Sequence, residues 1–306
     1  MFIISKGMKL MKKILVFLTM LTALSCTSKH ELGSEKNPIH LALVPGQDSA
    51  VLMENGRILE RWLIEQTGLV VKIQVPSNFV AVIEGLGSQR VDFAIINTFG
   101  YILAHDKYKA TAVLIGESNG RSEYWGQIIT KDPKIKNLND LNGKKIAYVD
   151  PASTSGYVLP AALLRKSNVK PKEVVFAGKH DSVVTMVYQG QVDAGATFHT
   201  PTENGKPQDA RRLVLTQYPD VFEKVKIVAM TSSIPSDPVV FRAGFPLEMQ
   251  NKLVTALKSF SASPGGSDTL KKLYHITNFK DCTDQTFDPV RKILLDLGKD
   301  AQDLVK

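Results

Sequence analysis

From residue 37 onward, short apolar runs that favour β-strands alternate with longer segments that favour α-helices. The strand-like runs cover residues 39–44, 70–75, 92–96, 111–115, 124–130, 145–149, 173–176, 194–197, 226–230 and 239–242. The helix-like segments cover residues 51–66, 80–88, 156–166, 183–189 and 246–260. Strands separated by helical segments form βαβ units, in which the strands of a sheet are mostly parallel. The alternation therefore predicts an α/β fold.

The same order of segments predicts two lobes that are joined by two crossings of the chain. The strand-like runs 124–130 and 226–230 are placed where each would carry the chain from one lobe to the other. We expect residues 37–121 and 233–306 to form lobe 1 and residues 122–232 to form lobe 2. A hinged clamshell of this kind encloses a ligand in the cleft between its lobes.

The N-terminal segment has the pattern of an export signal. Basic residues at Lys9, Lys12 and Lys13 precede an apolar run over residues 14–24, which is too short to span a membrane as a mature helix. We therefore expect a signal peptide over residues 1–25.

The end of this segment is similar to a bacterial lipobox, in which a cysteine is diacylated and becomes the mature N-terminus. Cys26 stands at the position of that cysteine, although Ala23 stands where the motif has a leucine. The prediction is lipidation at Cys26 and a polar tether over residues 26–36, which would anchor an exported protein to the bacterial membrane, facing the periplasm or the exterior. Ordinary signal cleavage without lipidation is the alternative.

Charge and cysteine content argue against several classes of protein. The net charge of +8 falls to +4 without the four lysines of residues 1–25, so nucleic-acid binding is not indicated. The pairs Arg211-Arg212 and Lys271-Lys272 are predicted to be solvated. If Cys26 carries lipid, Cys282 has no partner, and no disulfide framework supports the fold. The six histidines lack paired ligand spacing, so we expect no metal site and no cofactor.

Three hydroxyl side chains lie together at a predicted strand-to-helix turn. Ser153, Thr154 and Ser155 follow the strand-like run 145–149, and Gly156 would let the backbone approach a ligand. A helix N-terminus carries unpaired N–H groups and partial positive charge, which favour an anion. The turn has neither a P-loop lysine nor a G-x-G-x-x-G motif, so it predicts a small oxyanion rather than a nucleotide. An ordinary helix cap is the alternative.

Seven short motifs, in this order along the chain, resemble the phosphonate-binding receptors of ABC importers. They lie at residues 79–86, 91–94, 124–126, 150–157, 178–181, 190–194 and 234–238. The resemblance covers about residues 38–297. It implies a type II-like periplasmic binding protein, a two-lobed clamshell that captures a phosphonate, phosphite or phosphate ion and delivers it to ABC permease subunits.

Such a receptor would be a monomer and would not be an enzyme. Two other functions stay open at this point. One is a sensor subunit that presents the bound ligand to a membrane kinase. The other is an exported hydrolase, for which a serine of the turn, His180 and Asp237 supply the residue types but lack the usual nucleophile motif.

The resemblance also implies which residues hold the phosphorus oxygens. Ser153, Thr154, Ser155 and His180 occupy the matching positions. His180 would act there as a protonated imidazole that adds charge-assisted donation. The backbone N–H groups of residues 98 and 99 are expected to face the cleft from lobe 1.

Around the organic end of the ligand, the residues of this chain match less well those of the family members that bind aminoalkylphosphonates. Tyr124 matches one of their tyrosines and Asp237 one of their carboxylates, although packing and a turn would also explain these two residues. Phe79 replaces a second tyrosine, and Thr200 stands where a second carboxylate is expected unless Glu203 supplies it from a longer loop. An ammonium with one carboxylate is poorly compensated, so we do not expect an aminoalkylphosphonate as the preferred ligand. Asp237 instead favours a ligand oxygen that carries a proton.

Overall fold

The structure is a computed structural model that describes residues 30–296. The predicted signal peptide and the predicted lipidation at Cys26 lie outside the described residues. Among residues 30–296, no helix is both long and apolar enough to cross a bilayer. Within residues 30–296, Cys282 forms no disulfide bond.

The described chain forms two β-sheets. Its strands are β1 (Ile39–Leu43), β2 (Val71–Gln74), β3 (Phe93–Ile95), β4 (Thr111–Glu117), β5 (Glu123–Thr130), β6 (Lys145–Tyr148), β7 (Glu173–Phe176), β8 (Ala194–His199), β9 (Lys226–Pro235), β10 (Pro238–Phe241) and β11 (Asn278–Asp281). Sheet 1 has the order β11-β4-β10-β3-β1-β2, and sheet 2 has the order β7-β6-β8-β5-β9. The predicted two-lobed α/β fold is confirmed.

The helices cover the faces of these sheets. They are α1 (Ser49–Thr67), α2 (Phe79–Gly87), α3 (Thr98–Tyr108), α4 (Leu159–Lys166), α5 (His180–Gln189), α6 (Val221–Lys224), α7 (Leu247–Ala262), α8 (Gly266–Tyr274) and α9 (Asp288–Asp296). Parallel pairing of β1 with β2 and β3, and of β6 with β7 and β8, follows from the helices that connect these strands. The remaining pairs are antiparallel.

The chain passes between the sheets twice, and the two crossings touch. The first runs from the end of β4 to the start of β5, and the second from the end of β9 to the start of β10. Ser236 N–H donates to the Ser122 carbonyl at 2.9 Å. This bond holds the crossings side by side and places Asp237, which follows Ser236, at the rim where the two sheets meet.

All ten predicted strand runs are confirmed, and β11 is an additional strand. Only Phe279 of the four residues in β11 is buried, and the other three are polar. The sequence of β11 therefore lacks the apolar pattern from which a strand is predicted. The helix predicted over residues 156–166 is confirmed from Leu159, but the turn before it, Thr154–Val158, is π-helical. A wider turn of this type is frequently found at functional sites.

Candidate functional site

A cavity of about 110 Å³ lies between the two sheets. Pockets for drug-sized molecules are typically several times larger, so the cavity suits a compact solute. Seven of the eight ligand-binding residues predicted from the sequence line it: Phe79, Tyr124, Ser153, Ser155, His180, Thr200 and Asp237. The eighth, Thr154, does not.

The hydroxyl turn contributes two of these side chains and is held in place by its own hydrogen bonds. Ser153 is buried, and its Oγ accepts the Gly156 N–H at 3.1 Å, so it caps the turn while its hydroxyl hydrogen stays available. Ser155 is also buried and lies beside the Tyr124 phenol. Gly156 is also required by packing. A Cβ at this position would overlap the side chain of Val149.

Thr154 joins the two lobes. Its Oγ1 accepts the Phe99 N–H at 2.8 Å and donates to Asn97 Oδ1 at 2.8 Å. Both bonds cross from the turn before α4 to the start of α3. The expectation that the Phe99 N–H faces the cleft is therefore wrong, because Thr154 occupies it.

Asn97 is a wall residue that sequence reasoning missed. Its Oδ1 accepts the Gly100 N–H at 2.9 Å as well as the Thr154 hydroxyl, and the backbone donor fixes which end of the amide is oxygen. Asn97 Nδ2 is buried and has no hydrogen-bond partner within residues 30–296. The sequence feature that could have identified Asn97 is its position directly after a buried strand and before a helix, which is typical of an N-cap.

His180 is buried at the start of α5 and is oriented by Thr197. Its Nδ1 lies 2.7 Å from Thr197 Oγ1, and its ring packs edge-on against Phe198 at 4.9 Å. Burial lowers the pKa of His180 to about 3. The ring is therefore neutral near pH 7, so the charge-assisted donation expected from the sequence would require a ligand that raises this pKa.

Asp237 and Tyr124 form a pair at the crossing between the sheets. The Tyr124 hydroxyl donates to Asp237 Oδ1 at a long 3.4 Å. Burial raises the pKa of Asp237 to about 7, an effect that the Tyr124 hydrogen bond opposes. Burial, with the nearby Asp237 charge, raises the pKa of Tyr124 well above 10, so the phenol keeps its proton. Asp237 can thus accept or donate a proton near neutral pH.

The structure places Thr200 at the cavity wall and Glu203 away from it. Glu203 Oε1 lies 2.8 Å from His275 Nε2, so this carboxylate is engaged by lobe 1. Phe79 is almost fully buried and offers an apolar ring. Of the other carboxylates at the wall, Glu117 forms an ion pair with Lys280, and Glu123 is largely exposed to solvent.

The prediction that Arg211 and Arg212 are solvated is wrong. Arg211 is buried and forms a bidentate ion pair with Asp209, with Nε–Oδ1 and Nη2–Oδ2 distances of 2.9 Å. Arg212 lines the cavity, and its Nε–H donates to the Gln208 carbonyl at 3.1 Å. The tight turn over Ala210–Val214, capped by Asp209, directs the two neighbouring side chains to different places. Sequence alone shows two adjacent arginines and no reason to separate them.

The residue types of a hydrolytic triad are present but are not connected as a triad. The nitrogen of His180 that a carboxylate would orient contacts a threonine hydroxyl, and Asp237 contacts Tyr124. Within residues 30–296, no group of three histidine, cysteine or acidic side chains is arranged to hold a metal ion.

Comparisons with known proteins agree with this fold. The model of one family, described as the periplasmic substrate-binding protein of a phosphonate ABC transporter, matches residues 41–287. The phosphate-import protein PhnD of Mycolicibacterium smegmatis is 32% identical over 177 residues, which are 53% of this chain and 55% of that protein. The match thus spans about half the length of this relative.

Two solved structures have the same fold. A binding protein component of an ABC phosphonate transporter from Pseudomonas aeruginosa has a TM-score of 0.75 at 24% identity, over 87% of each chain. PhnD1 from Prochlorococcus marinus, in complex with methylphosphonate, has a TM-score of 0.72 at 18% identity, over 86% of this chain and 98% of that one. Because the family model matches most of its length, this chain belongs to the family of periplasmic substrate-binding proteins of phosphonate ABC transporters.

Proposed function

We propose that this protein is the solute receptor of an ABC importer and captures a phosphorus oxyacid, such as a phosphonate, phosphite or phosphate, in its cleft. The observation that carries the proposal is the convergence of Ser155, Tyr124, His180 and Asp237 on one small cavity. Hydroxyl and ring N–H groups donate to ionised oxygens, and a carboxyl with a pKa near 7 can accept the proton of a P–OH group. The names of the relatives support this ligand class.

The substituent on phosphorus is small and carries no amine. Phe79 lacks the hydroxyl and Thr200 lacks the carboxylate that would surround an ammonium, and Glu203 is paired with His275. An ammonium buried with too few carboxylates loses more hydration than it regains. Methylphosphonate, phosphite and phosphate are therefore expected to bind more tightly than 2-aminoethylphosphonate.

The protein acts as a binding protein and not as a catalyst. The contact of His180 Nδ1 with a threonine supports this, because no carboxylate orients the ring as a general base. Delivery to permease subunits, rather than to a sensor kinase, follows the description of the family. We place the receptor as a monomer on the outer side of the membrane, anchored through lipid at Cys26.

The lobe division is part of the same proposal: residues 37–121 and 233–306 form lobe 1, and residues 122–232 form lobe 2. The membership of the strands in the two sheets supports this division. Because β9 pairs with β5 as far as Pro235, the second boundary lies close to Ser236.

Isothermal titration with methylphosphonate, phosphite, phosphate, 2-aminoethylphosphonate and sulfate tests the proposal. At least one of the phosphorus oxyacids is expected to bind with a Kd well below about 100 μM, which corresponds to roughly 5–6 kcal/mol. If none of them does, the proposal fails. Thr200→Glu restores a carboxylate at the wall and is expected to improve binding of 2-aminoethylphosphonate specifically, while Thr255→Glu on α7, distant from the cavity, serves as the matched control.

A further inference from the structure

His180 and Thr197 form an isolated buried pair behind the cavity wall. Thr197 lies in β8 with no exposed surface, and its Oγ1 is 2.7 Å from His180 Nδ1. This is the only hydrogen bond that the Thr197 side chain makes within residues 30–296. Because Thr197 has no surface exposed to bulk solvent, the acceptor for its hydroxyl hydrogen within residues 30–296 is His180 Nδ1.

That restriction decides where the imidazole carries its proton. If Nδ1 carried it, the N–H would donate to Thr197 Oγ1 and the threonine hydrogen would be left buried without an acceptor, which is costly. With the proton on Nε2, Nδ1 accepts from Thr197, so the buried hydroxyl and the buried ring nitrogen are both satisfied and Nε2–H is left to face the cavity. The hydrogen bond at one ring nitrogen thus sets the state of the other.

We propose that Thr197 is a positioning residue that fixes His180 as the neutral tautomer with its proton on Nε2, so that the ring presents a permanent N–H donor to the ligand in the cavity. His180 lines the cavity, and Nδ1 is turned to Thr197, so Nε2 is the nitrogen left to face a ligand. The backbone N–H of His180 donates to the Gly46 carbonyl at 3.0 Å, and the ring contacts Phe198. These two contacts hold the residue in this place.

The tautomer assignment for His180 takes its ligand from the proposed function. It also restricts which oxygen of that ligand can face His180. An Nε2–H group donates to an ionised or phosphoryl oxygen and cannot accept a proton from P–OH. A second proton on the ring would make Nδ1 a donor to Thr197 Oγ1 and leave the threonine hydrogen without its acceptor, and burial independently lowers the pKa of His180. The proton of a monoprotonated ligand is therefore directed to Asp237, and His180 selects an oxygen without one.

The test begins with the tautomer itself, measured without ligand. Long-range ¹H–¹⁵N correlation spectra of protein labelled at histidine nitrogen report which ring nitrogen carries hydrogen, and the His180→Gln variant assigns the signals among the six histidines. We expect a protonated Nε2 and a hydrogen-bonded, unprotonated Nδ1. A protonated Nδ1 in the wild-type protein overturns the proposal.

The second part of the test removes the hydroxyl and keeps the shape. Thr197→Val is expected to lose the tautomer preference and to bind methylphosphonate roughly tenfold more weakly, while Thr197→Ser restores both. Thr130→Val is the matched control, because Thr130 is also buried in sheet 2 and donates to the Asp193 carbonyl at 2.6 Å. Its Kd is expected to stay within about twofold of wild type.

Three results contradict the proposal: an unchanged tautomer in Thr197→Val, no rescue by Thr197→Ser, or an equal loss of affinity in Thr130→Val. If Thr197→Val does not fold, the wild-type spectrum and the serine variant still decide the assignment. If no phosphorus oxyacid binds the wild-type protein, the proposed function fails, whereas the tautomer measurement stands by itself.

Discussion

At the scale of single residues, the cavity is defined by groups whose partners lie far away in sequence. Thr197 is 17 residues from His180, and Asp237 is 113 residues from Tyr124. Burial changes what each side chain can do: it keeps His180 neutral near pH 7 and raises the pKa of Asp237 to about 7. The chemistry of the site thus depends on partners and burial that the neighbouring sequence does not supply.

Asp237→Asn is expected to change how the ligand-free protein responds to pH. Burial raises the folded pKa of Asp237 from 3.8 to about 7, so between these values the unfolded chain is ionised while the folded protein keeps its proton. The free energy of unfolding that Asp237 contributes therefore falls as pH rises through this window. His180 acts in the opposite direction, because its folded pKa of about 3 lies below 6.5.

The asparagine variant should therefore gain stability relative to wild type as pH rises from 3.8 to about 7, and the difference should then stay constant. Urea unfolding at several pH values measures it. Asp106→Asn, which changes an exposed carboxylate on α3, is the control. A stability difference that does not vary with pH would contradict the placement of Asp237.

Asn97→Asp is expected to weaken ligand binding strongly. The substitution keeps an oxygen for the Gly100 N–H and the Thr154 hydroxyl but replaces the buried, unpartnered NH₂ group with a second oxygen. Loss of a donor and repulsion of the anion together predict roughly 10- to 100-fold weaker binding of methylphosphonate. Titration calorimetry measures the change.

The matched control for Asn97→Asp is Asn78→Asp, at the exposed N-cap of α2. It makes the same chemical change at the same kind of helix position. If both variants bind methylphosphonate as the wild type does, Asn97 Nδ2 does not donate to the ligand.

At the scale of elements, helix starts and loop ends carry the contacts between the lobes. The start of α3 meets the hydroxyl turn before α4 through Thr154, and the loop after β8 meets the end of α8 through Glu203 and His275. Both contacts connect segments of sheet 1 with segments of sheet 2 beside the cavity. We therefore expect them to break if the lobes separate, and to add to the stability of the closed form.

His275→Asn is expected to weaken closure. His275 has a left-handed backbone conformation with φ of 59°, which asparagine tolerates, but the shorter side chain cannot reach Glu203. The lost hydrogen bond predicts roughly three- to tenfold weaker ligand binding. Titration calorimetry measures the affinity, and small-angle scattering of the ligand-free protein should show a larger radius of gyration.

Lys258→Ala is the control for this prediction, because it breaks an ion pair with Asp281 that lies within lobe 1. Its affinity and radius of gyration are expected to match those of the wild type. An unchanged affinity in His275→Asn would mean that the Glu203 contact does not contribute to closure.

At the scale of the whole molecule, the fold provides two rigid sheets and a pair of short crossings between them. The bond between Ser236 and Ser122 ties the crossings together, so relative motion of the lobes is concentrated in a few residues. A ligand that bridges the lobes binds the closed, folded form and not the unfolded chain. Ligand binding should therefore be visible as a change in the stability of the entire molecule.

Methylphosphonate at about 100 times its Kd is expected to stabilise the protein by about 2.7 kcal/mol, which raises Tm by roughly 4–5 °C for a chain of this size. Sulfate carries no proton for Asp237 and is expected to give a smaller shift. Differential scanning calorimetry measures both. Equal shifts with the two anions would contradict the role given to Asp237.

The sequence by itself determined the elements and their order. Strand and helix patterns depend on neighbouring residues, so ten strands and the α/β fold could be predicted from them. The place of the hydroxyl turn followed in the same way, since a strand and a helix on either side define it. The eight candidate ligand-binding residues came from the family resemblance, and seven of them line the cavity.

Only the tertiary structure decided how the site works. Thr154 joins the lobes, Glu203 is hydrogen-bonded to His275, Arg212 reaches the cavity, and Asn97 Nδ2 has no hydrogen-bond partner among residues 30–296. These outcomes depend on contacts between segments that are far apart in the sequence. Burial in that closed cleft also sets the proton states of His180 and Asp237, because desolvation is a property of the surroundings and not of the residue.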